Sequence, residues 1–153
     1  MRKLIIVVAL VIGFASMASA QSDRTIGLRF GWPMEISYQQ PMGDANRLEL
    51  GLGFPGFSGA YLSGAYEWMK DLSNVTDGLN WYYGFGAQAG YWGTFNVGAF
   101  GLIGIEYDLE QHINFPLLAS VDYRPGVGVA VSSGGTFFYP SYSGFALGLR
   151  YKF

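Results

Sequence analysis

The last eleven residues, Ser143 to Phe153, read "SGFALGLRYKF" and alternate between two kinds of side chain. Large apolar residues occupy every second position, namely Phe145, Leu147, Leu149, Tyr151 and Phe153, and the residues between them are small or cationic. A period of two is the pattern of a β-strand with one apolar face. The stretch therefore predicts a final strand whose cations, Arg150 and Lys152, lie on the face opposite its rings.

The same alternation occurs in seven earlier segments, separated by turn-forming sequences such as Pro41–Asp44 and Ser133–Gly135. No segment shows the 3.6-residue apolar stripe of an amphipathic helix. The sequence predicts one all-β domain of eight antiparallel strands connected up and down. The predicted strands are Thr25–Trp32, Met34–Gln40, Asn46–Phe54, Phe57–Met69, Leu79–Tyr91, Phe95–Asp108, Phe115–Arg124 and Ser143–Phe153.

The two faces of these strands differ in volume, and this difference predicts which face is inside. Roughly thirty large apolar residues on one face would overfill an eight-stranded barrel, whose interior only just accommodates side chains. The other face carries Gly, Ala and Ser interspersed with charged residues, and these fit that interior. We therefore expect the apolar face to point outward and the charged face to line the lumen.

The charged residues of the predicted lumen face are balanced in sign. Since a buried charge without a partner is costly, five cations and five anions at these positions predict an internal ion-pair network. The predicted members are Arg29, Arg47, Arg124, Arg150 and Lys152 with Glu35, Glu49, Glu67, Glu106 and Asp122.

The N-terminus predicts export. Arg2 and Lys3 precede an apolar run, Leu4–Ala15, which is followed by the small-residue pattern Ala18-Ser19-Ala20. This arrangement is typical of a signal peptide cleaved after residue 20, and the run is shorter than the roughly 20 residues of a membrane-spanning helix. The mature chain is then residues 21–153, in which seven Lys and Arg oppose eleven Asp and Glu, a net charge of −4.

An exported barrel with an apolar exterior is expected to span a membrane. Among β-structures only a closed barrel can do so, because every backbone group must be paired. The prediction is an outer-membrane barrel of a Gram-negative bacterium with both termini in the periplasm and surrounding lipid as its first partner. Tyr151 and Phe153 are expected in the aromatic girdle at the periplasmic interface.

The sequence resembles the small eight-stranded outer-membrane barrels of the OmpX and OmpA-barrel type, most closely the bacteroidete group of outer-membrane β-barrel proteins. The similarity covers nearly the whole mature chain and is carried by "IGLRFGWPMEISYQQ", "WYYGFGAQAGYWG", "GLIGIEYDL", "FPLLASVDYRPG" and "ALGLRYKF". The resemblance implies that Phe153 is also part of the signal read by the outer-membrane assembly machinery. Three of the four predicted outward loops are shorter than in OmpX-like proteins, which argues against adhesin-like activity.

The sequence disfavours several functions other than a structural or surface-interaction role. The acidic chain has no basic run for nucleic acid and no Cys for thiol chemistry. The single histidine, His112, lies in a predicted inward turn, which disfavours a Ser-His-acid lipid-modifying enzyme. Glu106, Asp108 and Glu110 precede it at even spacing, but ligands along one extended strand do not converge on one ion, so a solvated turn is expected and neither metal nor cofactor is predicted.

Two further alternatives are a narrow pore for small solutes and a soluble carrier shaped like a lipocalin. Arg and Glu side chains filling the lumen of an eight-stranded barrel disfavour the pore. A carrier would be soluble once the signal peptide is removed, whereas a barrel with an apolar exterior should aggregate.

The one long outward connection, Pro125–Tyr142, reads "PGVGVAVSSGGTFFYPSY". The alternation of strand seven continues into it, and that of strand eight extends back through Tyr139 and Phe137, so the hairpin is expected either to project as a ribbon or to fold over the barrel mouth. As a ribbon it would offer a site for a surface or periplasmic protein partner, because exposed apolar strands invite association. The residues predicted to form this site are Val127, Val129, Val131, Phe137, Phe138 and Tyr139.

Overall fold

The computed structural model describes residues 24–56 and 59–153, apart from the side chains of 141–143. The predicted signal peptide, and Phe57 at the predicted start of the fourth strand, lie outside the described residues. The strands are β1 Thr25–Phe30, β2 Met34–Pro41, β3 Asn46–Phe54, β4 Gly59–Asp71, β5 Leu79–Trp92, β6 Phe95–Asp108, β7 Leu117–Ser132 and β8 Gly135–Lys152. A four-residue helix, α1 (Glu110–Ile113), lies between β6 and β7.

The eight strands close into one antiparallel barrel in chain order, which confirms the predicted all-β architecture of eight strands connected up and down. Closure is made by β1 against β8, from Thr25 opposite Lys152 to Phe30 opposite Leu147. We call the end that carries Arg24 and Phe153 the terminal end; there the Phe153 amide donates to the Arg24 carbonyl at 2.9 Å. The opposite end, which carries the β7–β8 turn, is the arm end.

The register fixes how strongly the strands are staggered. Leu28 of β1 pairs directly with Leu149 of β8. When its partners are followed the other way round the barrel, from β2 through to β8, the last partner is Phe138, eleven positions before Leu149. One of these positions is Gly144, which is skipped in the β7–β8 ladder as a bulge, so the stagger is ten residues. A closed stagger requires tilted strands, about 35–45° from the barrel axis in typical barrels.

The alternation separates the two surfaces as predicted. Side chains that point outward are large and apolar, whereas the largest side chains buried in the lumen are mostly polar or charged. Leu149, for example, is 44 % exposed, whereas its neighbour Arg150 is fully buried. The barrel therefore has a charged interior and an apolar exterior, the reverse of a soluble protein.

The lumen also holds several large rings and apolar side chains that the sequence did not indicate. Tyr61, Tyr82, Phe100 and Leu102 are buried there. Glycine residues on neighbouring strands leave the space that these side chains occupy. A β-carbon on Gly104, for example, would lie 2.6 Å from the Tyr82 hydroxyl oxygen.

The strands β7 and β8 are longer than predicted and form a continuous hairpin through the segment 125–142. We call this hairpin the arm. Its pairing runs without interruption from Pro125 opposite Tyr142 to Ser132 opposite Gly135. The segment is therefore a paired hairpin and not a lid, and its β7 strand is also paired with β6, from Gly126 opposite Phe100 to Val131 opposite Phe95.

Candidate functional site

The centre of the lumen contains nine of the ten predicted network residues. Because side chains alternate between the two faces of each strand, inward positions on seven strands direct charged groups toward one axis. The nine are Arg29 (β1), Glu35 (β2), Arg47 and Glu49 (β3), Glu67 (β4), Glu106 (β6), Asp122 and Arg124 (β7) and Arg150 (β8), all of them buried.

One part of this network joins β1, β2 and β7. Arg29 donates to Asp122 through Nε, 2.8 Å from Oδ1, and through Nη2, 2.5 Å from the same oxygen. Glu35 lies between two cations, with Oε2 3.4 Å from Arg29 Nη1 and 3.5 Å from Arg124 Nη1. Glu35 Oε1 also accepts a hydrogen bond of 2.7 Å from the Tyr61 hydroxyl. These contacts connect strands that are not neighbours in the barrel wall.

Glu49 is the second centre of the network. It accepts from Arg124 Nη2 at 2.5 Å and from Arg150 Nη2 at 3.2 Å. Gln39 Nε2 donates to the Glu49 Oε2 atom at 2.7 Å. Arg150 Nη1 also donates to the Ser120 hydroxyl at 2.6 Å, so this guanidinium is held from two sides.

A second group, nearer the terminal end, is built on Arg47. Its Nε donates to Glu67 and its Nη1 donates to Glu106 at 2.7 Å. The guanidinium also lies over the ring of Tyr82, with Cζ 4.6 Å from the centroid. Arg47 Nη2 and Glu67 Oε1 are buried without a hydrogen-bond partner. This group is thus the least completely satisfied part of the network.

Lys152 does not belong to this network, and its predicted place there is wrong. It lies at the terminal end with its side chain 13 % exposed, and Nζ is 2.5 Å from Asp108 and 2.6 Å from Glu110. The reason is its position at the last residue of β8, at the terminal end, where Asp108 at the end of β6 and Glu110 in α1 are within reach. The network itself holds four arginines and five carboxylates.

The acidic residues considered as a cation site are dispersed. Glu106 faces the lumen and binds Arg47, whereas Asp108 and Glu110 bind Lys152. His112 in α1 contacts the Tyr107 hydroxyl, at 3.2 Å from Nδ1. Among the described residues, no three His, Cys, Asp or Glu side chains form a group that could hold a metal ion.

A polar cavity of about 370 Å³ opens at the terminal end, below the Arg47 group. Its walls include Gln39, Asn46, Arg47, Asn80 and Glu106. Above it the ion pairs and the rings of Tyr82, Phe100 and Tyr61 occupy the lumen. The network therefore separates this cavity from the arm end of the barrel.

The alternation places Ser37 and Gln39 on the lumen face but does not identify them as network partners, and it missed two tyrosines altogether. Gln39 and Ser37 are buried beside Glu49 and Arg150, and Tyr61 and Tyr82 contact Glu35 and Asp122. The positions of the tyrosines on the lumen parity of β4 and β5 are a signal that could have identified them. Residue type could not distinguish these inward tyrosines, because nearby outward positions, such as Tyr66 and Tyr83, are also tyrosine.

The predicted girdle residues are exposed on the outer surface of the terminal end. Tyr151 and Phe153 point outward, and the Tyr151 ring lies 5.7 Å from that of Phe115. A larger aromatic cluster lies on the outward face of β4 and β5, where the centroids of adjacent rings are 5.1–5.7 Å apart. It consists of Tyr66, Trp68, Trp81, Tyr83 and Phe85.

The arm presents a different face from the one predicted. The expectation that strand eight keeps its alternation back through Tyr139 and Phe137 is wrong, because the bulge at Gly144 exchanges inward and outward positions. Phe138 now shares the outward face with its partner Val129, and Tyr139 lies over Gly128 on the inner face. Val127 and Val131 remain outward as predicted, and Phe137, 60 % exposed, pairs with Ala130 nearer the tip.

Comparisons with known proteins add no family to this picture. No helix in the described part of the chain is long and apolar enough to cross a membrane. No protein-family model, curated protein or solved structure matches the sequence or the fold.

Proposed function

We propose that this chain is a non-enzymatic integral protein of the Gram-negative outer membrane with a structural or surface-interaction role. The observation that carries the proposal is the inverted barrel: ion pairs fill the lumen, and large apolar side chains cover the outside. In water such an exterior would be far larger than the apolar patches that soluble monomers expose. In a bilayer the same exterior is solvated by acyl chains, and the pairing of β1 with β8 closes the eight strands into a ring.

Aromatic residues at both ends of the wall support this placement. Transmembrane barrels carry such rings at both interfaces. Outward rings near the terminal end include Trp81, Tyr107, Phe115, Tyr151 and Phe153, and those near the arm end include Trp32, Phe54, Tyr91 and Phe95.

The proposal includes a route and an orientation. Residues 1–20 act as a cleaved signal peptide, and the terminal end faces the periplasm. The assembly machinery recognises the C-terminal strand with Phe153, as the resemblance to OmpX-like and OmpA-like barrels implies. The arm then projects from the cell surface, where it is the proposed contact for a protein partner.

Cell fractionation tests the location. The full chain should appear in the outer-membrane fraction, resist carbonate extraction and require detergent for release. The chain without residues 1–20 should aggregate in buffer and fold only in detergent or lipid. A monodisperse, folded protein in detergent-free buffer would refute the membrane proposal and favour the soluble carrier.

Deletion of Val127–Tyr139 tests the role. The shortened protein should still insert, because the ladder between β1 and β8 lies outside the deletion. It should lose surface cross-links that the full chain forms. If all surface associations survive the deletion, the arm is not the interaction site.

A narrow pore is the second candidate, and the cavity at the terminal end is the observation that favours it. The ion pairs above the cavity oppose conduction. The refolded protein in planar bilayers should therefore show no stable, sizeable open state, and such a state would establish the pore instead.

A further inference from the structure

The Arg47 group at the terminal end of the network has more negative than positive charge. Arg47 forms ion pairs with two carboxylates, those of Glu67 and Glu106. The ion pairs found for the other three lumen arginines join them to the other three carboxylates. The one carboxylate by which the network exceeds its arginines therefore lies in the Arg47 group. Because an uncompensated buried charge is costly, this group favours an additional cation.

The same group also has an unused hydrogen-bond donor that lies at a cavity. Arg47 Nη2 is buried without a partner, and Arg47, only 6 % exposed, lines the polar cavity at the terminal end. Glu106 lines this cavity as well, and Arg47 Nη1 binds its Oε2 atom, which leaves Oε1 for another donor. A molecule in the cavity would thus meet an N–H group that needs an acceptor and a carboxylate oxygen that suits a cation.

The cavity has the size and closure of a site for one small molecule. Its volume is about 370 Å³. Since each water molecule takes roughly 30 Å³ in the liquid, this is the space of about a dozen waters. The ion pairs and rings of the lumen close its inner end, so a solute that enters from the terminal end stays there.

The remaining walls of the cavity are polar and, taken together, anionic. Three carboxylates and two cations line it: Asp44, Glu106 and Asp108 with Arg47 and Lys152. Lys152 is already bound to Asp108, which lowers its attraction for an anion. Asn46 and Asn80 supply amides, which both donate and accept hydrogen bonds. The walls therefore suit a positively charged ligand that is rich in hydroxyl or carbonyl oxygens.

A bare metal ion does not suit this cavity. Hard cations require several oxygen ligands around one point. Among the residues that the structure describes, no three His, Cys, Asp or Glu side chains are grouped in that way. A metal ion would also leave Arg47 Nη2 without an acceptor. An organic ammonium needs a single carboxylate for its charge, and oxygens on the same molecule can accept from Arg47.

We propose that the cavity at the terminal end binds a small organic cation that carries a primary ammonium and several hydroxyl or carbonyl oxygens, as an amino sugar does. The ammonium donates to the Glu106 carboxylate and balances the excess charge of the Arg47 group. One ligand oxygen accepts from Arg47 Nη2, and Asn46 and Asn80 bind the others. This binding activity goes beyond the proposed membrane role and does not involve the arm.

The test uses the mature chain refolded in detergent and calorimetric titration in a mildly acidic buffer, which keeps the amine protonated. The probe is glucosamine, which should bind. N-acetylglucosamine keeps the hydroxyls without the charge, and methylammonium keeps the charge without an acceptor. Each of these two should bind at least about tenfold more weakly, because each lacks a hydrogen bond to a charged group.

Two matched substitutions test the role of the carboxylate. Glu106→Gln should weaken glucosamine by at least about tenfold. The variant should fold, because Arg47 keeps Glu67 as its counter-ion. Glu110→Gln is the control: it is the same substitution at the same end of the barrel, but Glu110 binds Lys152 and is not part of the cavity wall. It should change the affinity by less than about twofold, since an exposed charge has a weak effect.

Two further measurements keep the test decisive. Glucosamine should shift the side-chain amide resonances of Asn46 and Asn80 and leave Gln88, eight residues beyond Asn80 on β5 toward the arm end, unchanged. Leu118→Arg is the second variant if Glu106→Gln fails to fold. Leu118 lines the cavity, so an arginine there would compete for Glu106 and should abolish binding.

Any of four results would overturn the inference. The first is no binding of glucosamine, which would mean that the cavity holds water only. The second is that N-acetylglucosamine or methylammonium binds as tightly as glucosamine. The third is an equal loss of affinity in the Glu106 and Glu110 variants, and the fourth is a shift of Gln88 without one of Asn80. Because binding is measured on refolded protein and location by fractionation, failure here is distinguishable from failure of the membrane proposal.

Discussion

Arg29 on β1 and Asp122 on β7 are 93 positions apart in the chain and form an ion pair with three hydrogen bonds inside the lumen. They are not on adjacent strands, since β8 lies between β1 and β7. Arg29 is opposite Gly148, and Asp122 is opposite Ala146. The small residues of β8 leave room for the arginine to cross that strand. The pair therefore braces the barrel at the seam where its first and last strands meet.

Removal of Arg29 should be costly. Arg29→Ala leaves the buried Asp122 without its main partner, and loss of one member of a buried pair typically costs about 3–5 kcal/mol. We expect a loss of about 3 kcal/mol in the free energy of unfolding, at the low end because Arg124 Nε also lies 3.2 Å from Asp122. Urea unfolding in lipid vesicles, followed by tryptophan fluorescence, measures it. The double variant Arg29→Ala/Asp122→Asn should recover part of the loss; no recovery would show that packing, not charge, explains the cost.

A charge placed on the outer surface tests which face meets lipid. Leu149→Arg should reduce the free energy of unfolding in vesicles by about 2–4 kcal/mol if the residue lies near the bilayer midplane. Leu118 is the comparison, since it is buried at the terminal cavity, near Glu106. Leu118→Arg should be tolerated better. If Leu149→Arg refolds as well as wild type and Leu118→Arg does not, the inside and outside assignments are reversed.

One glycine should be intolerant of even a methyl group. A β-carbon on Gly104 would lie 2.6 Å from the Tyr82 hydroxyl oxygen and 2.9 Å from Asp122 Cβ. Gly104→Ala should therefore destabilise the barrel by about 1–3 kcal/mol through overpacking. Gly101 is on the same strand with only the Gly84 carbonyl oxygen nearby, at 3.9 Å, so Gly101→Ala should be nearly neutral. Equal unfolding midpoints for both variants would mean that Tyr82 can move aside.

The bulge at Gly144 predicts different accessibility for two adjacent arm residues. The chain has no cysteine, so Phe138→Cys and Tyr139→Cys each introduce a single thiol. A water-soluble maleimide should label position 138 at least about tenfold faster, because Phe138 is exposed, whereas Tyr139 packs over Gly128 and its hydroxyl is buried. Deletion of Gly144 should reverse the order by restoring the alternation. Similar rates in the unmodified arm would contradict the bulge.

The sequence by itself determined the number and order of the strands and, outside the arm, the alternation of their faces. Alternation is a local property, so residues two apart share a face whatever the rest of the chain does. For that reason the eight strands could be predicted, and so could the outward position of Leu149 and the inward position of Arg150. The volume of the outward residues then identified the lumen, because an eight-stranded barrel has room for only one of the two sets.

Only the tertiary structure decided which charges meet. Parity places Arg29, Arg47 and Lys152 on the lumen face, but the ten-residue stagger sets the height of each along the axis. That height places Arg29 beside Asp122 and brings Arg47 between Glu67 and Glu106, while Lys152 remains at the terminal end with Asp108.

The arm shows the same limit of local reasoning. A bulge of one residue at Gly144 exchanges the faces of Phe138 and Tyr139, and nothing in the alternation of either flanking segment marks it. The free edge of β8, beyond its pairing with β1, likewise follows from the mismatch between a β1 that ends at Phe30 and a β8 that begins at Gly135. The face on which a residue lies depends on neighbours two positions away. The register between β1 and β8 and the length of the free edge depend on strands more than a hundred residues apart in the chain. Only closure of the barrel brings those two strands together.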